Sequence, residues 1–253
     1  LALSVWDGGT GGKNDGSIKG GNGVWRLSAR RDDWTTIDGS VNSDYAAGSF
    51  AIFLGEPGTV TIDNSNGAVT AAGMQFGVDG YVLTGDPLTL TGTQAIIRVG
   101  DGTGARPTAT IAASLVGAAQ LAKEDAGTLI LTGDNSYTGG TVIRGGTLAV
   151  SRDANLGAAG TITFQGGTLQ TTADFASGRG LVFTGDGAVL TDAGTTLTLG
   201  SALSGNGSLT KTGGGRLVLT ADNSAYTAPT HVSEGTLSVN GALGSHVEVA
   251  TQG

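Results

Sequence analysis

The amino-acid sequence predicts an all-β fold, a parallel β-helix (solenoid) built from coils of roughly 20 residues. Three observations predict it: a long stretch that occurs twice, a short motif that recurs once per coil, and apolar positions that alternate with variable ones.

The long stretch reads GTLILTGDNSYTGGTVIRGGTLAV at 127–150 and GRLVLTADNSAYTAPTHVSEGTLSV at 215–239. A shift of 88 residues places Leu129 on Leu217, Leu131 on Leu219, and Asp134-Asn135-Ser136 on Asp222-Asn223-Ser224. Ala225 is then inserted, and a shift of 89 places Tyr137 on Tyr226, Ile143 on Val232, and Gly146-Thr147-Leu148 on Gly235-Thr236-Leu237. The match runs backwards as well, with Leu115, Gly117 and Leu121 on Leu203, Gly205 and Leu209. Repeat units therefore lie near 109–150 and 197–239. The earlier unit opens with ATIAASLVGAAQLAKEDA, which helix propensity alone would accept. Its counterpart is crowded with Gly and Thr, so both are read as strand and turn.

The short motif, Gly-Thr-Leu, stands at 127–129, 146–148 and 167–169, with Gly215-Arg216-Leu217 and Gly235-Thr236-Leu237 later. Its spacings of 19, 21 and 20 residues set the coil length. Within the motif's strands Leu129 and Leu131 keep their type between units, while Thr128 becomes Arg216 and Ile130 becomes Val218. That period of two marks a strand with one inward and one outward face. One coil cannot bury its inward face alone, but stacked coils form a continuous core. The second unit is accordingly expected to rebuild the same wall about four coils further on.

Composition agrees. The 253 residues include 47 Gly, only 13% are charged and 5% aromatic, and no Cys is present. Gly, Thr and Val favour short strands and tight turns. The 13 Lys and Arg are scattered within a net charge of −8, which argues against nucleic acid and anionic membrane surfaces as partners. No apolar run reaches the ~20 residues of a spanning helix. The sequence starts and stops in mid-pattern, so it is read as an excerpt of a longer chain. Residues 1–50 carry Trp6, Trp25, Trp34 and Tyr45 among many Gly, and are expected to be a capping segment, with 51–253 forming the β-helix. The three Trp could stack on sugar rings or plug the open end of the column; the plug is the preferred reading.

The stretches LAKEDAGTLILTGDNSYTGGTVIRGGTL and LTKTGGGRLVLTADNSAYTAPTHVSEGTL resemble the β-strand repeat of bacterial autotransporter passengers. Lys123 and Lys211 fall where that pattern has its lysine. The second unit departs from it at Ala221 and Ala228-Pro229, and the first at Glu124-Asp125-Ala126. The resemblance implies a right-handed β-helix, exported through the periplasm and folded outside the outer membrane of a Gram-negative bacterium. It also implies a C-terminal translocator β-barrel in the full-length chain, and a monomeric surface scaffold or adhesin that meets a host-cell surface or matrix molecule or a glycan. The rival function is a polysaccharide hydrolase or lyase on the same fold.

No catalytic, cofactor-binding or metal-ligating residue is assigned. Thr-Gly-Asp or a close variant ends at Asp86, Asp134, Asp186 and Asp222; a line of acids could hold Ca²⁺, but turn capping is the expected role. Asp186 and Asp192 with Arg179 would be the constellation of the enzyme reading. GDGTGAR at Gly100–Arg106 lacks the ending of a phosphate loop, and GGTGGKNDG at Gly8–Gly16 matches a Ca²⁺ nonapeptide poorly. Of the two possible bases, His246 and His231, the latter replaces Val142 of the earlier unit and is read as an outward position.

Overall fold

The structure, a computed structural model, describes residues 2–28, 30–158 and 160–250. It is a parallel β-solenoid of about 9 turns of about 21 residues. The first wall is an 11-stranded sheet running from Asn42–Ser43 through Trp34–Thr35 and Leu3–Trp6 to Ser204–Gly205, and the second an 11-stranded sheet from Gly23–Trp25 to Val247–Val249. The third side carries a three-stranded sheet ending at Leu115–Gly117 and a four-stranded sheet from Phe175–Ser177 to Thr236–Val239. Residues 109–126 are strand and turn, as Thr108–Ile111, Leu115–Gly117 and Gln120–Glu124 show.

Register explains the recurring motif. Leu129 lies on Leu148, which lies on Leu169, so the Gly-Thr-Leu sequences stack in consecutive coils of the second wall. Ile111, Leu131 and Val150 form a parallel inward column. That column continues as Thr171 and Thr191, whose buried hydroxyls have no hydrogen-bond partner among the described residues. On the first wall the inward column holds Phe164 on Phe183, their rings stacked 4.7 Å apart.

The glycine of the motif has a steric cause. Gly146 has φ +59° and Gly235 has φ +68°, a left-handed conformation that side chains disfavour. A Cβ on Gly146 would also run into the carbonyl oxygens of Asp125 and Gly127 in the coil below. Gly146→Ala is therefore expected to destabilise the chain by roughly 2–4 kcal/mol, combining backbone strain with overpacking. A chemical-denaturation midpoint checks this; Thr147→Ala, one position on and half-exposed, should shift the midpoint little.

Near the N-terminus Leu3–Trp6 pairs in parallel with Phe50–Phe53 and antiparallel with Trp34–Thr35, which pairs in turn with Asn42–Ser43. Trp6, Trp25, Trp34 and Tyr45 are buried rather than displayed. Trp34 lies 5.1 Å from Trp6, 4.9 Å from Trp25 and 4.7 Å from Tyr45 between ring centroids. Phe53 joins this cluster to the column by stacking on Phe76 at 4.9 Å.

One expectation needs correcting. The second repeat unit does not rebuild the same wall. Lys123 lies beneath Ile143, Phe164, Phe183 and Gly205 in four successive coils of the first wall. The chain reaches Lys211 only after leaving that wall, so Leu209–Thr212 belongs to the second wall, above Val189. Likewise Thr128–Leu131 lies on the second wall and Arg216–Leu219 on the third. The 88-residue shift exceeds four coils by about the distance to the next wall, and the whole unit is displaced around the axis by one wall.

Candidate functional site

What the two repeat units share is an internal constellation of Lys, Asn and Tyr. In Gln120–Glu124 the inward phase set by Leu121 makes Lys123 the next inward residue. Its side chain is fully buried, and Nζ donates to the carbonyl oxygens of Glu124 at 2.8 Å, Asp125 at 2.9 Å and Gly145 at 3.0 Å. Lys211, also fully buried, donates to those of Thr212 at 2.7 Å, Gly213 at 2.7 Å and Glu234 at 3.1 Å. Each ammonium thus ties a corner of its own coil to the coil above. The corner residue is left-handed in both units, Gly213 at φ +72° and Asp125 at φ +64°. Asp125 adopts that unfavourable conformation while accepting from Arg98 Nε at 2.9 Å.

The asparagine fixes the following loop. Asn135 Oδ1 accepts from Leu115 N at 2.8 Å, and Asn223 Oδ1 from Leu203 N at 2.7 Å. The loop is closed by a buried tyrosine: Tyr137 Oη meets Thr141 Oγ1 at 2.7 Å, and Tyr226 Oη donates to Gly207 O at 2.8 Å. The departures from the pattern are absorbed, since Pro229 O accepts from Leu209 N at 3.0 Å as Gly140 O does from Leu121 N.

Burial pulls the Lys123 ammonium down to about 8, opposed by the Asp125 and Glu124 carboxylates. Burial lowers Lys211 too, and raises Tyr137 and Tyr226 to about 12. These groups lie inside the column, so their chemistry is structural: they satisfy carbonyls and position corners.

The sequence candidates are dispersed. Asp86 accepts from Asn64 N, Asp186 from Ser208 N and Asp222 from Ser224 N, all at 2.8–2.9 Å, and Asp134 pairs with Arg152. Arg179 does not join Asp186 and Asp192. Its guanidinium pairs with Asp153 and donates to the carbonyls of Leu156, Gly157 and Ala158, while Asp192 accepts from Gln170. His231 Nδ1 lies 3.0 Å from Glu248 on the outer surface, with His246 3.7 Å from the same carboxylate. Among the described residues no three His, Asp or Glu gather in a metal-holding group. Asp101 Oδ1 accepts from Thr103 N at 3.0 Å, so GDGTGAR is a turn. In GGTGGKNDG, Asp15 Oδ1 accepts from Ser17 N at 3.0 Å, again a turn.

The repeats that carry the Lys–Asn–Tyr constellation match a known family model. Residues 121–150 and 209–239 match the passenger-associated-transport-repeat. The chain is also 51% identical to an adhesin, the BmaC autotransporter of Brucella suis biovar 1 (strain 1330), over an alignment that covers all of it. The chain carries the transport repeats of autotransporter passengers. It spans 8% of the length of that adhesin. No solved structure matches it.

Two polar residues that position loops in this chain are not legible in its sequence. Arg179 was weighed only as a catalytic partner, although it is nearly buried and ties down the 3-10 turn Asp153–Leu156. Asn155 is fully buried, accepting from Ser151 N and Arg152 N while Nδ2 donates to Gly133 O. Arg179 carries no local signal because Asp153 and the carbonyls it binds lie about one coil away, and Asn155, though it caps Ser151 N and Arg152 N locally, reaches its other partner, Gly133 O, across a coil. For the lysines a signal existed: the alternation Leu121-x-Lys123 and Leu209-x-Lys211 places both inward.

The lysine geometry gives the chain a distinct pH response. The folded value of Lys123 is depressed below its unfolded 10.5, so the unfolded chain binds the extra proton between the two. Stability is expected to rise from pH 8 to pH 9.5 by roughly 2 kcal/mol. Above about pH 10 the raised tyrosines reverse the trend, since unfolded phenols ionise first. Urea midpoints measured across this range check it; a flat profile up to pH 9.5 would remove the charged, desolvated lysine.

Proposed function

We propose that this passenger domain works at the surface of a Gram-negative bacterium as an adhesive β-helical scaffold. In this reading it is part of a longer chain whose C-terminal translocator β-barrel delivers it across the outer membrane. The observation that carries the proposal is the 51% identity to an autotransporter adhesin over the whole domain. The repeat architecture supports it: strands stacked coil on coil make a long exposed wall, suited to contact with a host-cell surface, a matrix molecule or a glycan. Residues 1–50 serve as the aromatic, Gly-rich cap and 51–253 as the column. Adhesion is favoured over catalysis because Asp186 is bonded to Ser208 and Asp192 to Gln170, while Arg179 pairs with Asp153 instead of with either of them.

Beads coated with the purified chain are expected to adhere to epithelial cells or to a matrix-coated surface well above albumin-coated beads. Adhesion equal to albumin on every surface would overturn the reading. Release of reducing sugar from polysaccharides by the chain would replace it with the enzymatic one.

A further inference from the structure

We infer that the N-terminal cleft is a binding site for a neutral, hydroxyl-rich saccharide. The cleft has a volume of about 550 Å³, within the range of small-molecule sites. Gly8, Gly9, Gly21 and Gly55 line it beside Thr10 and Ile18, so much of its floor presents backbone rather than side chains. Packing forces this at Gly8 and at neighbouring Gly23, where a Cβ would run into the Trp6 ring. The indole is itself buried and donates from Nε1 to Gly21 O at 2.8 Å, which holds the floor rigid. Gly21 N also donates to Glu56 O at 2.6 Å, joining the floor to the next coil.

The rim supplies the polar chemistry. Asn22 Oδ1 accepts from Thr59 N at 2.8 Å, which fixes the side chain and leaves the carboxamide donors without a protein partner among the described residues. Glu56 is exposed, and its carboxylate has no hydrogen bond or ion pair among the described residues. Lys19 lines the cleft, but its ammonium is held by Asp15 at 3.1 Å and Ser17 at 2.7 Å. The uncompensated charge at the cleft is therefore that of Glu56, which disfavours acidic ligands. A free carboxylate accepts from two hydroxyls and a carboxamide donates to a third oxygen, a set that matches vicinal diols. The bare glycine floor lets a sugar ring approach the backbone closely.

For its biological partner this inference rests on the adhesive reading above; for its chemistry it rests on the cleft alone. The test is nuclear magnetic resonance titration of the ¹⁵N-labelled chain with methyl glycosides of glucose, galactose and N-acetylglucosamine, and with sialyllactose as the charged probe. A neutral probe should move the amides of Gly8, Gly9, Gly21 and Gly55. Glu56→Gln and Asn22→Asp should each weaken that binding roughly ten-fold, the loss of about one hydrogen bond to a charged or oriented group. Asn22→Asp keeps the acceptor for Thr59 N, and unchanged thermal melts of both variants identify them as folded. Absence of shifts at about 20 mM of any neutral probe, wild-type binding by both variants, or preference for sialyllactose would overturn the assignment. The bead assay separates the two readings. Beads that adhere while no saccharide moves the glycine amides remove the cleft and keep adhesion; amide shifts in a chain whose beads do not adhere keep the cleft and remove adhesion.

Discussion

Leu131→Asp is expected to destabilise the chain by at least about 4 kcal/mol, the largest effect among the substitutions considered. Leu131 is fully buried, with Ile111 below it and Val150 above it in the inward column. The substitution loses about 1.5–3 kcal/mol of apolar burial. It also places a carboxyl where no donor faces it, at a further penalty of several kcal/mol even after the group is neutralised by protonation. Leu219→Asp should cost less. Its neighbour above, Val239, is 39% exposed, so water reaches that part of the column. Thr128→Asp, on the same strand but half-exposed, is the control and should stay within about 0.5 kcal/mol. Urea unfolding followed by circular dichroism gives all three. In a full autotransporter chain both leucine variants are expected to slow surface display, because coils fold by adding to coils already formed. A misfolded variant displayed at the normal rate would disconnect folding from export.

Lys123→Met is the second large effect, an expected loss of roughly 2–5 kcal/mol near pH 7. Two opposing terms set it. Burying the ammonium is unfavourable by roughly 3 kcal/mol, from the displacement of its titration to about 8. Against this stand three charge-assisted hydrogen bonds of about 1.5–3 kcal/mol each. The bonds win, and methionine fills the space while leaving the carbonyls of Glu124, Asp125 and Gly145 without their donor. The alkaline rise in stability should shrink with it, leaving the smaller share of Lys211. A K123M midpoint equal to wild type would mean that water or backbone rearrangement satisfies those carbonyls as well as the ammonium does.

How far the sequence leads is visible at particular residues. The motif spacing identifies the coil, and Leu129, Leu148 and Leu169 stack as that spacing requires. Which wall a strand joins is not legible in the same way. Four coils carry the Lys123 column to Gly205, whereas the repeat is longer than four coils, so Lys211 arrives beyond Gly205 on the next wall. The buried lysines lie in plain alternation with leucines, but a charged side chain at an inward position runs against the usual distribution. Only the corner carbonyls, placed there by the turn itself, explain it. The N-terminal cleft had no sequence signature beyond its glycines, because its rim brings Asn22 and Glu56 together across two different coils.

The one-wall displacement of the second repeat has a geometric outcome for anything attached to it. Equivalent loops of the two units leave the column in different compass directions, like treads on a spiral stair. An epitope or binding loop grafted at the same repeat position in both would therefore face two separate neighbours, so a single flat receptor would engage one copy at a time.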